Sequence, residues 1–199
     1  GIETFEDSAE LKAINRSYEI VFYNNIPEYR GFQLDYNHAI ILSQLVSPNE
    51  TGTKEAIEKL IVTEILKEEP SKQITEHIQN RLINARNWVS SKYAPSHLRI
   101  QLKEYVSQDV LEQYDKKFRN LVFDLGKTLE KAKWTEEDIK QKMMLLRKEI
   151  DLSKKEMKIF FQILYQIFIG NTKGPRFAPF IAALDKNWVI KKLQEVSEF

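Results

Sequence analysis

Apolar positions along this chain recur mostly at three- and four-residue intervals, the spacing that gathers them on one face of an α-helix. Over residues 54–66 that face is Ile57, Leu60, Ile61 and Ile65, and Pro70, which has no N–H to donate, ends the element. Ser71 is placed to cap the next helix, whose stripe of Ile74, Ile78, Leu82, Ala85 and Val89 runs up to the turn Tyr93-Ala94-Pro95-Ser96. The rhythm then lapses. Leu98, Ile100 and Leu102 alternate with Arg99, Gln101 and Lys103, which predicts a short extended segment.

Helical spacing resumes from Asp109 to about Ala132, through Val110, Tyr114, Phe118, Leu121, Leu125 and Leu129. One continuous helix is predicted there. Gly126 falls inside it at a cost of about 1 kcal/mol relative to alanine, and close packing against a neighbouring helix is the expected reason. Thr135 starts another helix, with Glu136, Glu137 and Asp138 set against the positive end of its dipole. Ser153 and Glu156 have the spacing of a capping box and lead into Met157, Phe160, Phe161, Leu164 and Phe168. Gly170 suits the left-handed residue past that helix, and two short helices follow the turn. The fold class read from this pattern is all-α, a multi-helix array. Residues 24–34 and 47–52 are turn-rich, and the lapse at 93–107 is the best place for a subdomain boundary.

Composition narrows the chemistry. With 199 residues, 42% hydrophobic and 30% charged, the chain can bury a sizeable core as one or two domains. No cysteine is present, so disulfides and thiolate zinc ligands are excluded. His38, His77 and His97 are scattered, with no pair one helical turn apart. The longest apolar run, Ile159 to Ile169, is interrupted by Gln162 and Gln166 and is too short to span a bilayer; a cytoplasmic, membrane-free protein is expected. Thirty basic against 29 acidic side chains leave a net charge of +1, so any phosphate-binding surface has to be a local patch. With Gly1 first and Met143 the first methionine, the sequence reads as an excised or processed piece.

Four segments, in order, carry a resemblance. They are Arg16-Ser17-Tyr18-Glu19 with Tyr23-Asn24-Asn25-Ile26-Pro27; Arg81, Ala85, Trp88 and Tyr93-Ala94-Pro95; Trp134-Thr135-Glu136-Glu137; and Gly170 followed by Gly174-Pro175-Arg176-Phe177. Together they are similar to the C-terminal anticodon-binding region, the α-helix cage, of class I lysyl-tRNA synthetases. The resemblance implies that residues 1–95 follow the catalytic domain and support the tRNA stem, and that 96–199 form the anticodon-binding part. It implies a parent enzyme that attaches lysine to tRNA using ATP with magnesium, and partners in lysine tRNA and the chain's own catalytic domain. The H-I-G-H and K-M-S-K-S signatures of class I activation do not occur, nor does a phosphate-cradling loop. This piece is therefore expected to hold no catalytic residue, cofactor or metal, and to be inactive alone.

Gripping an unpaired loop requires planar groups for stacking, polar groups for base edges and cations for the backbone. Arg81, Arg86, Trp88, Lys92, Tyr93, His97 and Arg99 supply these in density near a helix end. Trp88 adjoins the Ala85 and Val89 stripe, however, and burial is its better-supported reading. Lys173 and Arg176, on the small-residue turn 171–176, are the second group, set against a turn that only shapes the chain while Arg176 pairs with a carboxylate. The tRNA-binding candidates are thus Arg81, Arg86, Trp88, Lys92, Tyr93, Arg99, Lys173 and Arg176. Phe177, Phe180 and Trp188 read as core, and Lys154, Lys155, Lys191 and Lys192 as solvated helix faces. Two alternatives stand beside this reading: a glutamyl-tRNA synthetase-type anticodon-binding region, which usually lacks the G-P-R-F run, and a helical protein-interaction module without RNA binding.

Overall fold

Nine α-helices and no strand make up the described residues of the computed structural model, which are residues 32–198. The resemblance segments at 16–19 and 23–27, and most of the turn-rich stretch 24–34, lie outside them. The unit that carries the helices runs from Gln33 to Phe199. We number the helices α1 (Tyr36–Leu45), α2 (Glu50–Val62), α3 (Lys72–Ser90), α4 (Gln108–Glu112), α5 (Lys116–Glu130), α6 (Glu136–Ile150), α7 (Lys154–Ile169), α8 (Phe177–Ala182) and α9 (Lys186–Gln194).

Local chemistry sets most helix ends. Ser71 accepts from Ile74 N, Thr135 from Asp138 N and Asp185 from Trp188 N, each satisfying an N–H that the helix leaves open. Ser153 and Glu156 form the expected capping box. Glu156 also pairs with Lys117 of α5 at 2.5 Å, and that ion pair with the Ser153 hydrogen bonds holds its carboxyl down to about 2. Gly170 ends α7 in the left-handed region at φ 69°.

Three boundaries differ from the periodic reading. Asn49 accepts from Gly52 N and starts α2 at Glu50, inside the stretch expected to be loop. That helix also stops at Val62, well before Pro70: the Thr63 hydroxyl turns back onto Lys59 O at 2.7 Å and Glu64 takes φ 60°. The run 109–132 is two helices. Apolar spacing carries across Gln113–Asp115, but α4 ends there to lay Leu111 into the core against α7, and α5 begins afresh after Asp115.

Packing forms two connected groups. α1 and α2 pack on α3, while α5 packs on α6, α7 and α9, with α6 on α8 and α4 on α7; α1 also touches α8. At Gly126 α5 lies in close contact with α9. A Cβ there would lie 3.1 Å from that of Leu193. Phe168 of α7 and Phe180 of α8 are fully buried and packed edge-on against each other, each worth about 1.5–3 kcal/mol of burial. Trp188, half-buried, leans on Phe168 at a centroid distance of 5.8 Å. Lys192 is not solvated as its helical position suggested: it is only 2% exposed, lies over the Trp188 ring at 5.1 Å and donates to Glu104 O at 2.9 Å. Burial lowers its pKa, partly offset by Glu195 and Glu104. Among the described residues no helix is long and apolar enough to cross a membrane.

Candidate nucleic-acid interface

Residues 98–104, where the helical pattern lapses, form a strap over the C-terminal ends of three helices. The alternating residues make no strand. Arg99 has extended backbone angles, but the segment's polar groups bond to side chains and helix ends instead of a partner strand. Gln44, at the end of α1, donates to Leu98 O at 3.0 Å and accepts from Ile100 N at 2.8 Å. Arg99 reaches back to the end of α3, donating to Val89 O at 3.3 Å and Ser91 O at 2.9 Å. Lys103 N donates to Phe168 O at the end of α7, at 2.9 Å, and Lys192 holds the strap's far side through Glu104 O.

This strap brings together part of both candidate groups. Tyr93 projects from the corner after α3, 79% exposed, with Lys92 Nζ over its ring at 5.2 Å. His97 and Arg99 are exposed beside it. Lys103 lies against Gly170, where an added Cβ would come within 2.4 Å of its Cε, so the strap abuts the turn that carries exposed Lys173. Glu104 is the single acid among residues 92–105 and 170–176, against Lys92, Arg99, Lys103, Lys173 and Arg176. Lys103 and Tyr105, the latter 81% exposed, are additions that the sequence reading left out. The signal for Lys103 was the alternation at 98–103, which put cations on the side away from the apolar residues.

Other candidates sit elsewhere. Arg81 lies over the Tyr36 ring at 5.2 Å and Trp88 meets the same ring edge-on at 5.7 Å, so both are engaged with α1. Arg86 Nη2 donates to Ser43 O and Val46 O and closes the end of α1. Arg176 is exposed at the start of α8 and lines a cleft with α6 and α7, and no carboxylate pairs with it among the described residues. The turn itself is tightly built. The Tyr165 hydroxyl donates to Pro175 O, its ring fills the space where a Gly174 Cβ would sit at 2.5 Å, and burial pushes its pKa up to about 12.

No protein-family model matches the chain. It is similar, however, to curated lysine-tRNA ligases. The relative from Aeropyrum pernix is 28% identical over 99% of this chain, that from Thermococcus kodakarensis 32% over 98%, and that from Pyrococcus horikoshii 30% over 94%. These matches cover 35%, 35% and 34% of the respective relatives. The chain thus spans about a third of the length of the curated relatives it matches. Nearly all of it is homologous to archaeal class I lysine-tRNA ligases, and it corresponds to one region of those enzymes.

Proposed function

We propose that this chain is the anticodon-binding region of a lysine-tRNA ligase, which grips the anticodon stem and loop of lysine tRNA and positions it for ATP-dependent, magnesium-assisted attachment of lysine in a separate catalytic domain. In this reading residues 1–95 support the stem and 96–199 the loop, and the setting is cytoplasmic. The chain alone charges no tRNA. The observation that carries the reading is the strap: it sets exposed Tyr93 and Tyr105 among Lys92, Arg99, Lys103 and Lys173, the stacking surfaces and backbone cations that a single-stranded loop needs. The homology to lysine-tRNA ligases supplies the tRNA and the amino acid.

Titration of the chain with lysine tRNA, and with the same tRNA carrying altered anticodon uridines, tests it. The unaltered tRNA should bind more tightly, with an affinity that falls steeply as salt rises because phosphate contacts release counterions. Indifference to both the anticodon and salt would leave the helical array as a protein-interaction module.

A further inference from the structure

All three methionines of the chain, Met143, Met144 and Met157, line one cleft between α6, α7 and α8. Its floor is aromatic. Phe161 and Tyr165 each meet Phe177 edge-on at 5.8 Å, which fixes the rings before any ligand arrives. The volume is about 430 Å³, within the roughly 300–1,000 Å³ usual for sites that enclose a small ligand. Arg147 of α6 and Arg176, just before α8, also line the cleft, and the lining holds no acid. Lys140 shares the lining but is paired with Glu137 at 3.9 Å. The two guanidiniums have no partner among the described residues.

We propose that this cleft receives one unstacked nucleotide of the RNA loop, its base held among the methionines and Phe161 and its phosphate by Arg147 and Arg176. This rests on the tRNA-binding reading and adds a pocket, with Met143, Met144, Arg147 and Met157 as new contact residues. The occupant follows from charge and shape. Polarisable, unbranched methionines adapt to a flat face and make favourable contacts with rings, and arginine forks match phosphate geometry. A nucleotide carries both a planar apolar face and an anion, matching the aromatic and methionine lining and the two arginines. An acidic peptide satisfies the arginines but brings no planar group of its own. Chain continuity points the same way, because the turn from Arg176 leads back through Lys173 to Gly170, against which Lys103 of the strap lies. A strand leaving the cleft therefore meets further cations.

The test uses the anticodon hairpin of lysine tRNA with each loop nucleotide replaced in turn by an abasic one, which deletes the base and keeps the phosphate. Affinity is measured for the unaltered chain, Met144→Glu and Tyr93→Ala, with circular dichroism as a check on folding; Met144 is 51% exposed, so its replacement leaves the core alone. At one loop position the abasic replacement should weaken binding to the unaltered chain roughly 5- to 100-fold. Met144→Glu should bind the intact hairpin that much more weakly and lose little more at that position, whereas Tyr93→Ala should still show the full abasic loss there. Undiminished binding by Met144→Glu, together with a loss in Tyr93→Ala, would overturn the cleft as a nucleotide site while leaving the RNA reading in place. No hairpin binding by the unaltered chain would overturn both.

Discussion

Arg86, inside α3, and Arg176, at the turn before α8, both lie in segments that resemble a tRNA-reading element, yet their guanidiniums meet opposite surroundings. Arg86 is folded into the end of α1, where the last carbonyls lack helical partners and gather partial negative charge. Arg99 treats the end of α3 in the same way. Arg176 and Arg147, by contrast, line an apolar cleft with no carboxylate partner among the described residues. Density of arginine along a sequence therefore does not measure what is left for a ligand. Helix C-termini compete for the same cations, and where three of them converge, as under the strap, they take the first share.

The sharpest way to break that contrast is Arg86→Met. Both carbonyls it bonds belong to buried residues, Ser43 and Val46. Loss of a charged donor from such a site should lower the unfolding free energy by about 1.5–3 kcal/mol, read from urea denaturation. Binding of tRNA by the folded protein should change little. A stability change under about 0.5 kcal/mol, the range of ordinary surface substitutions, would return Arg86 to the ligand-facing group.

That distinction also marks how far the sequence could be read. Ser71, Thr135, Ser153 and Gly170 act within one turn of their own position, and their caps were legible from spacing alone. The close approach at Gly126 was legible as well, because a glycine inside a strong apolar stripe asks for a neighbour. The strap was not. Apart from those of Arg99, its bonds go to Gln44, Phe168 and Lys192, between 54 and 88 residues away for the side-chain partners, and no local pattern names them. Lys192 was missed for the same reason: Glu104 and Trp188, 88 and 4 residues away, help make its burial acceptable, and Glu104 is named by no local pattern. The split of 109–132 escaped because apolar spacing stays in phase across the break, while Leu111 answers to α7.

Tyr165 sharpens the second region through pH. Burial raises its folded pKa from 10.0 to about 12. Between those values the unfolded chain has already lost the phenolic proton that the folded chain keeps, so the tyrosine's contribution to stability is present below pH 10 and is lost as pH rises toward 12. Tyr165→Phe keeps the ring over Gly174 but removes the hydroxyl that donates to Pro175 O. It should cost about 1 kcal/mol at neutral pH, and the deficit should shrink and then reverse above pH 10. A deficit that stayed constant across denaturation curves from pH 7 to 11 would mean that the hydroxyl is not held as described.

The smallest stability effect belongs to the cations that face no partner, and it is the most discriminating. Arg176→Gln removes a side chain that is exposed and makes no ion pair among the described residues, so unfolding should shift by less than about 0.5 kcal/mol. If its guanidinium holds a phosphate, the logarithmic dependence of tRNA affinity on salt should flatten by about one for this single change, and Lys173→Gln should add a second step of similar size. Arg86→Met should leave that slope where it was. A slope altered by Arg86→Met but not by Arg176→Gln would exchange the roles of the two arginines, because a cation already bonded to carbonyls would then be the one displacing counterions.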